Sequence, residues 1–173
     1  MKWVYIIAGS LAALIALIVV IGIFLPKGHV ASREATYRQS PDAIWAVLTD
    51  VANAGGWRSG LTRVEVLPPQ GANPAWRETW KDGTKVTFAS IEQVRPSRLV
   101  NQITDQDLPF GGRWIFELAP ANGGTRLKVT EQGEVYNPIF RFVSHFFMSQ
   151  TASIEDYLKA LGRKFGEDVT VGG

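Results

Sequence analysis

Two glutamates of this 173-residue chain lie where a carboxylate could bind a polar group or transfer protons. Glu78 lies between Trp76 and Trp80 in one segment of alternating apolar and polar residues. In another such segment, Glu131 lies four residues after Leu127, which is an even spacing. Because residues two apart share one face of a strand, both carboxylates are predicted on the apolar face of a sheet. A carboxylate there needs partners or a raised pKa. The alternative is that a β-bulge or the sheet edge turns each glutamate towards solvent.

The rest of this predicted face is mostly aromatic with sparse polar groups, a composition typical of a small-molecule site. The predicted ligand-binding residues are Trp76, Glu78, Trp80, Phe88, Asn101, Trp114, Phe116, Glu131 and Phe147. A different interpretation is that the tryptophans fill a solid core, although buried indole N–H groups need partners. The sequence shows no nucleophile–base pair and no phosphate-binding loop, so no catalytic residue is assigned.

The composition removes several classes of function. Without cysteine the chain has no disulfide, no thiolate nucleophile and no Cys-ligated metal, and two histidines are too few for a multi-histidine centre. We therefore predict no metal and no cofactor. The balance of 18 basic against 16 acidic residues gives no electrostatic reason to expect nucleic acid as a partner.

The N-terminal segment has the length and composition of a membrane-spanning helix. Residues 3–25 carry no charge, and a helix of that length is about 35 Å long against about 30 Å for the hydrocarbon core. We interpret residues 1–26 as an uncleaved single-pass anchor, with a cleaved signal peptide as the alternative. The basic residues on the two sides of this segment nearly balance, so they determine its orientation poorly. The short basic leader favours the orientation with the domain on the extracytoplasmic side. His29 follows the anchor directly and is expected near the bilayer surface.

Beyond the anchor, the pattern predicts one strand, one helix and then six strands. The first strand covers residues 29–39, and Ser40 and Pro41 are typical of a helix start. The alternating segments are predicted near residues 61–67, 75–81, 85–94, 99–104, 113–118 and 125–135. Short connections require antiparallel neighbours, and Asp82-Gly83 is typical of a two-residue type I′ hairpin.

One long C-terminal helix is predicted from Asn137 to about residue 166, about 43 Å in length. It is the only element long enough to cover the sheet. The polar residues 149–153 interrupt its apolar stripe. This interruption indicates either a surface turn or a helix that covers a void at its middle.

In the first half of this helix, apolar side chains cover more than half of the helix circumference. The residues expected to cover the sheet are Phe140, Val143 and Phe147. Arg141 and His145 mark the polar side. Phe142 and Phe146 then lie on another side, where they contact either a loop of the domain or lipid.

Three short segments carry a resemblance to a known superfamily. They are Leu-Pro-Phe-Gly-Gly-x-Trp at 108–114, Gly-Gly-Thr-Arg-Leu-Lys-Val-Thr-Glu-Gln-Gly-Glu at 123–134 and Tyr-Leu-x-Ala-Leu at 157–161. Together with the order of elements they resemble the SRPBCC superfamily of polyketide cyclase/dehydrase-like and START-like proteins over residues 29–167. The resemblance implies an α+β helix-grip fold, in which a curved antiparallel sheet wraps around the C-terminal helix and leaves a concavity.

The residues and the resemblance together predict a domain at 27–168 and a disordered tail at 169–173. The leading hypothesis is a membrane-anchored module that binds or transports a lipid or other apolar small molecule. The alternative is a cyclase or dehydratase in which Glu78 or Glu131 moves protons, so whether the protein is an enzyme is left open. A third interpretation is a protein-interaction module that docks through its aromatic residues. The oligomeric state is also left open.

Overall fold

The computed structural model describes residues 1–173 and contains four α-helices, one 3-10 helix and seven strands. The strands are β1 (Gly28–Tyr37), β2 (Leu61–Gln70), β3 (Asn73–Trp80), β4 (Lys85–Val94), β5 (Arg98–Ile103), β6 (Phe110–Ala121) and β7 (Gly124–Val135). The helices are α1 (Lys2–Phe24), α2 (Pro41–Thr49), α3 (Pro138–Phe147) and α4 (Ala152–Lys164), and the 3-10 helix is Val51–Gly56.

All seven strands form one antiparallel sheet in the order β1-β7-β6-β5-β4-β3-β2. From β2 to β7, each strand pairs with its neighbour in sequence because the connections are short turns. β1 pairs with β7, so the first and last strands of the chain lie side by side. The predicted α+β helix-grip fold is confirmed, with α4 packed on the β1–β7 side of the sheet.

The two predicted helix starts are confirmed by their caps. The Ser40 hydroxyl accepts a hydrogen bond from the Ala43 N–H at 3.3 Å. Asn137 Oδ1 accepts from the N–H groups of Ile139 and Phe140 at 2.9 and 3.0 Å. These bonds satisfy amide groups of the first turn, which have no partner within the helix.

The core lies between the sheet and α4. Ile154, Leu158 and Leu161 recur at three- and four-residue steps and are fully buried. They belong to one apolar cluster with Leu127 of β7. The Tyr37 hydroxyl donates to the backbone oxygen of Leu158 at 2.9 Å, so its polar tip is satisfied inside this cluster.

The prediction of one long C-terminal helix is wrong. α3 ends at Phe147, Met148 is extended with φ −108° and ψ 141°, and α4 begins at Ala152. Between them, the Thr151 N–H donates to Ser149 Oγ at 3.3 Å. Such local bonds to side chains compete with helical ones. The interrupted apolar stripe therefore marks a turn between two helices.

The C-terminal end of α1 packs against α3. Gly22 permits this contact, since a Cβ there would lie 2.0 Å from the Pro138 backbone oxygen. Arg141, expected on the polar side of its helix, is instead only 5% exposed. It donates to the backbone oxygens of Gly22 at 2.9 Å and Leu25 at 3.2 Å, and also to carbonyl oxygens at the end of β7. His145 is exposed, as predicted.

The β3–β4 turn lies where Asp82-Gly83 predicted it, but it is not type I′. That type needs positive φ at both central residues, whereas Gly83 alone has it, at 85°. The Trp80 N–H donates to the Thr84 oxygen at 2.9 Å, which closes a longer loop. The hairpin is therefore confirmed, and its turn type is corrected.

The C-terminal tail, predicted to be disordered, lies against β1. Gly172 and Glu34 exchange two backbone hydrogen bonds of 2.8 and 2.9 Å, and Arg33 donates to the Gly173 oxygen at 2.6 Å. Val171 packs against the core cluster. β1 is an edge strand, so its outer backbone groups are available to pair with the tail.

Candidate ligand-binding cavity

A cavity of about 830 Å³ lies between the sheet, α4, α3 and the loop that follows α2. Eight of the nine residues predicted to bind a ligand are in its wall, namely Trp76, Glu78, Trp80, Phe88, Asn101, Trp114, Phe116 and Glu131. Their common orientation follows from the alternation of each strand. A void of this size is incompatible with a solid core, since protein interiors pack at crystal-like density. Contact of these residues with a ligand stays a prediction.

Phe147 is the predicted site residue that lies outside the cavity. Its side chain is 75% exposed, and its ring centroid is 6.2 Å from that of Phe142. The expectation that it covers the sheet is wrong because the break after α3 lets this helix pack on α1 instead. Val143, assigned to the same covering face, is also exposed, whereas Phe140 does line the cavity.

Aromatic rings and one amide form much of the wall. Trp76 stacks on Phe88 with ring centroids 5.6 Å apart, because the β3–β4 register places the two residues opposite each other. Asn101 is 8% exposed, and Ser90 donates to its Oδ1 atom at 2.6 Å. This bond fixes the orientation of the Asn101 amide in the cavity wall.

Glu78 is the most buried carboxylate of the wall, at 2% exposure. Its Oε1 atom accepts a hydrogen bond from the Trp76 indole N–H at 3.2 Å and pairs with the guanidinium of Arg58. The alternative in which a bulge or an edge turns Glu78 to solvent is therefore wrong. The partners that a buried carboxylate needs are supplied by its own strand and by a loop.

Arg58 is the main site residue that sequence reasoning missed. It lies in the loop after the 3-10 helix, where no periodicity marks a side chain as buried, yet its side chain is only 16% exposed. Its guanidinium carbon lies 5.1 Å from the Trp80 ring centroid and 5.2 Å from that of Tyr157, within cation–π range. The neighbouring Trp57 was the one local signal, since burying its large aromatic side chain brings this loop onto the domain.

Tyr157 of α4 joins the loop to the sheet. Its ring contacts Trp57 of the loop and Trp114 and Phe116 of β6, at centroid distances of 5.2, 5.7 and 5.5 Å. Burial raises the pKa of the Tyr157 hydroxyl well above its usual value, with Arg58 opposing this shift. The phenol therefore remains protonated at neutral pH.

Glu131 of β7 also faces the cavity, and its side chain is 21% exposed. Its Oε2 atom accepts from the Ser153 hydroxyl at 3.1 Å, and its Oε1 atom lies 3.7 Å from His29 Nε2. Burial raises the pKa of Glu131, while the Ser153 hydrogen bond and the nearby His29 lower it. A carboxylate with a raised pKa beside an imidazole is a pair suited to proton transfer.

His29 was expected near the bilayer surface from its position in the chain, and the fold places its side chain in the cavity wall. The β1–β7 register puts His29 opposite Gly133. Gly133 leaves room for the imidazole, since a Cβ there would lie 2.2 Å from His29 Cε1. In the sequence, the glycine at position 133 was the signal that could have indicated room for a side chain from the neighbouring strand.

The sheet, the cavity beneath it and the two C-terminal helices define a START-like helix-grip protein, a class that holds small ligands. The chain belongs to the family described as "Polyketide cyclase / dehydrase and lipid transport", whose model matches residues 29–166. The resemblance to the SRPBCC superfamily is thereby confirmed. No curated protein matches the chain.

Solved structures with the same fold belong to proteins of different kinds. A START superfamily protein from Mycobacterium smegmatis aligns with TM-score 0.62 and 17% identity over 79% of this chain and 96% of that one. Norcoclaurine synthase from Thalictrum flavum aligns with TM-score 0.64 and 14% identity, over 86% and 91%. The Zhui aromatase/cyclase from Streptomyces sp. R1128 aligns with TM-score 0.61 and 13% identity, over 79% and 93%. At these identities the likeness is one of fold.

Proposed function

We propose that this protein is a membrane-anchored module that binds or transports a lipid or other apolar small molecule. The observation that carries the proposal is the cavity of about 830 Å³, whose surface is mostly apolar in area and includes the aromatic rings of Trp76, Phe88 and Trp114. Its volume lies in the range of sites that enclose small molecules. Apolar ligand surface buried there would contribute about 25 cal/mol per Å², before the costs of association.

The anchor is supported by the properties and the packing of α1. It has 23 residues, its most apolar 18-residue stretch has a mean hydropathy of 2.9, and most of its side chains are exposed. A signal sequence shares these properties. However, the C-terminal end of α1 makes specific contacts with the domain, since Arg141 donates to the backbone oxygens of Gly22 and Leu25 and Gly22 packs against Pro138. This favours a retained helix, with the domain on the extracytoplasmic side as the short basic leader suggests.

The full chain, purified from membranes into lipid nanodiscs, provides the test. Native mass spectrometry after release from the nanodisc should show a co-purified apolar molecule. Ala160→Met, which places a larger side chain at the cavity wall, should reduce its occupancy. Lys159→Met, on the exposed side of the same helix, is the matched control and should leave occupancy unchanged. Absence of any bound molecule, together with no binding of added lipid, would contradict the proposal.

A second candidate function is catalysis of the cyclase or dehydratase type, favoured by the Glu131–His29 pair. With Oε1 and Nε2 3.7 Å apart in the cavity wall, one group could remove a proton from a bound carbon skeleton and the other return it. Glu131→Gln separates the two functions. For an enzyme, the variant should still bind the co-purified molecule but no longer convert it, as followed by mass spectrometry of the released molecule. If both proteins bind the molecule equally and neither converts it, the result supports the binding function and contradicts catalysis.

A further inference from the structure

The carboxylate of Glu78 has an acceptor that the protein does not use. Its Oε2 atom is the one buried side-chain nitrogen or oxygen atom of the chain without a hydrogen-bond partner. The residue is 2% exposed and belongs to the cavity wall. Buried polar atoms are nearly always paired, and an orphan calls for a partner such as a ligand. A ligand group that donates a hydrogen bond would supply one.

Arg58 provides unused donors beside this acceptor. A guanidinium has five N–H groups, and the side-chain hydrogen bond of Arg58 goes to Glu78 Oε1. The rings of Trp80 and Tyr157 hold its guanidinium in place from two elements. The ion pair therefore combines a free acceptor and free donors at one place in an apolar wall.

We propose that the Arg58–Glu78 pair recognises a hydroxyl group on an otherwise apolar ligand; this rests on the binding function proposed above. A hydroxyl can donate to Glu78 Oε2 and accept from Arg58, so one small group satisfies both residues. An anionic or a cationic head group fits less well, since the pair is already charge-balanced and an added charge would be buried without a counterion. The ligand class is a neutral amphiphilic alcohol, with its chain against the aromatic wall.

The test compares two probes that differ in one hydrogen-bond donor. The full chain in nanodiscs is titrated with 1-dodecanol and with its methyl ether, and binding is followed by the change in tryptophan fluorescence. We expect the alcohol to bind about tenfold more tightly, the order expected for one hydrogen bond to a charged group. Glu78→Gln should remove this preference. The amide oxygen would remain with Arg58 and Trp76, and the amide nitrogen in the place of Oε2 cannot accept a hydrogen bond from the hydroxyl. Glu117→Gln, on an exposed glutamate of β6, should retain it.

The outcomes distinguish this inference from the function on which it rests. Equal binding of alcohol and ether by the unaltered protein would overturn the inference and leave apolar binding intact. Tighter binding of dodecanoate than of dodecanol would assign the pair to an anionic head group instead. If neither probe binds, the binding function itself fails. Because the first comparison uses the unaltered protein, the test does not depend on the stability of a variant.

A separate observation concerns the outer surface of α3. This helix has exposed apolar side chains and no acidic residue. The exposed ones are Ile139, Phe140, Val143, Phe146 and Phe147, and Met148, which follows the helix, is exposed as well. Arg141 binds the backbone oxygens of Gly22 and Leu25 at the C-terminal end of α1. α3 therefore meets α1 at the level where a membrane-spanning helix leaves the hydrocarbon core.

We infer that the exposed apolar face of α3 is inserted into the lipid interface when α1 spans the bilayer. The apolar surface is continuous with that of α1, and interfacial helices bury one such face by about 5–10 Å. Phe140 and Ser144 of this helix, and Met148 just after it, also line the cavity. The part of the cavity border that α3 forms would then face the bilayer. An apolar ligand could therefore pass between the cavity and the bilayer without crossing water.

The chain has no cysteine, which makes single-site labelling direct. The full chain carrying Phe147→Cys is labelled with a nitrobenzoxadiazole dye and reconstituted into phosphatidylcholine vesicles. Lipids with a nitroxide near the head group should quench the dye at least twofold more than at Lys159→Cys on α4. Equal quenching at the two sites would contradict an interfacial α3. Leu14→Cys, within α1, reports separately on the anchor, and its failure to be shielded from aqueous iodide would instead reject the spanning helix.

Discussion

At the scale of single residues, the two carboxylates that were predicted to face the cavity, Glu78 and Glu131, have different surroundings. Glu78 is paired with a permanent cation and an indole N–H, so its charge is compensated inside the fold. Glu131 has a hydroxyl and a titratable imidazole beside it, and burial raises its pKa. This environment suits Glu78 to a fixed role in recognition and Glu131 to a change of protonation.

The raised pKa of Glu131 predicts a pH-dependent contribution to stability. The folded protein holds the proton more tightly than the unfolded chain, so this group disfavours folding as the pH rises from the unfolded pKa through the folded one. Glu131→Gln removes that effect. We expect the free energy of unfolding of the variant, minus that of the unaltered protein, to be greater at pH 7 than at pH 4. Urea unfolding in detergent measures both. A difference that is constant over this range would mean that the group titrates normally.

At the scale of elements, the C-terminal region divides its tasks between two helices. α4 supplies fully buried aliphatic residues to the core, whereas α3 packs on α1 and borders the cavity. The turn between them allows the two helices to take different directions. The element that stabilises the domain is therefore separate from the one that packs on α1.

For α4, the prediction is a large loss of stability when a core side chain is shortened. Leu158 is fully buried in the cluster that joins α4 to the sheet. Leu158→Ala should lower the free energy of unfolding by about 2–5 kcal/mol, measured by urea unfolding. Lys159→Ala, at the next and exposed position, should change it by less than about 0.5 kcal/mol. A similar effect at both positions would show that α4 does not hold the core together.

For α1, the prediction concerns a glycine at a close helix contact. Gly22→Ala would place a methyl group 2.0 Å from the Pro138 oxygen, so the helices must separate. We expect faster hydrogen–deuterium exchange in residues 138–148 of the full chain in detergent. Gly9→Ala has nothing within 4 Å of the added carbon and serves as the matched control. Equal exchange in the two variants would argue against the packing of α1 on α3.

At the scale of the whole molecule, a large void beneath the sheet reduces the stability of the unliganded protein and lets a ligand restore it. A ligand that binds only the folded state stabilises it by RT ln(1 + [L]/Kd), about 2.7 kcal/mol at a hundredfold excess over Kd. Dodecanol at that excess should therefore raise the melting temperature of the full chain, measured by circular dichroism. Ala160→Met should show a smaller rise, and an equal rise in both would place the binding outside the cavity.

Much of the fold and the wall could be predicted because the relevant signals are local. Alternation assigned Trp76, Glu78 and Trp80 to one face, and side-chain direction in a strand depends only on position. Turn residues and caps fixed where Ser40 and Asn137 begin their helices. These features do not depend on distant parts of the chain.

The tertiary structure decided what faces these residues across the fold. Arg58 pairs with Glu78 because a loop folds over β3, and His29 meets Glu131 because β1 pairs with β7. Phe147 faces away from the sheet because α3 packs on α1. Such contacts join segments far apart in sequence, whose approach depends on packing and chain geometry rather than on local pattern. The sequence alone therefore determined the strands, the two helix starts and most of the predicted wall residues, and the three-dimensional fold determined the break between α3 and α4, the partners, the void and its border with α1.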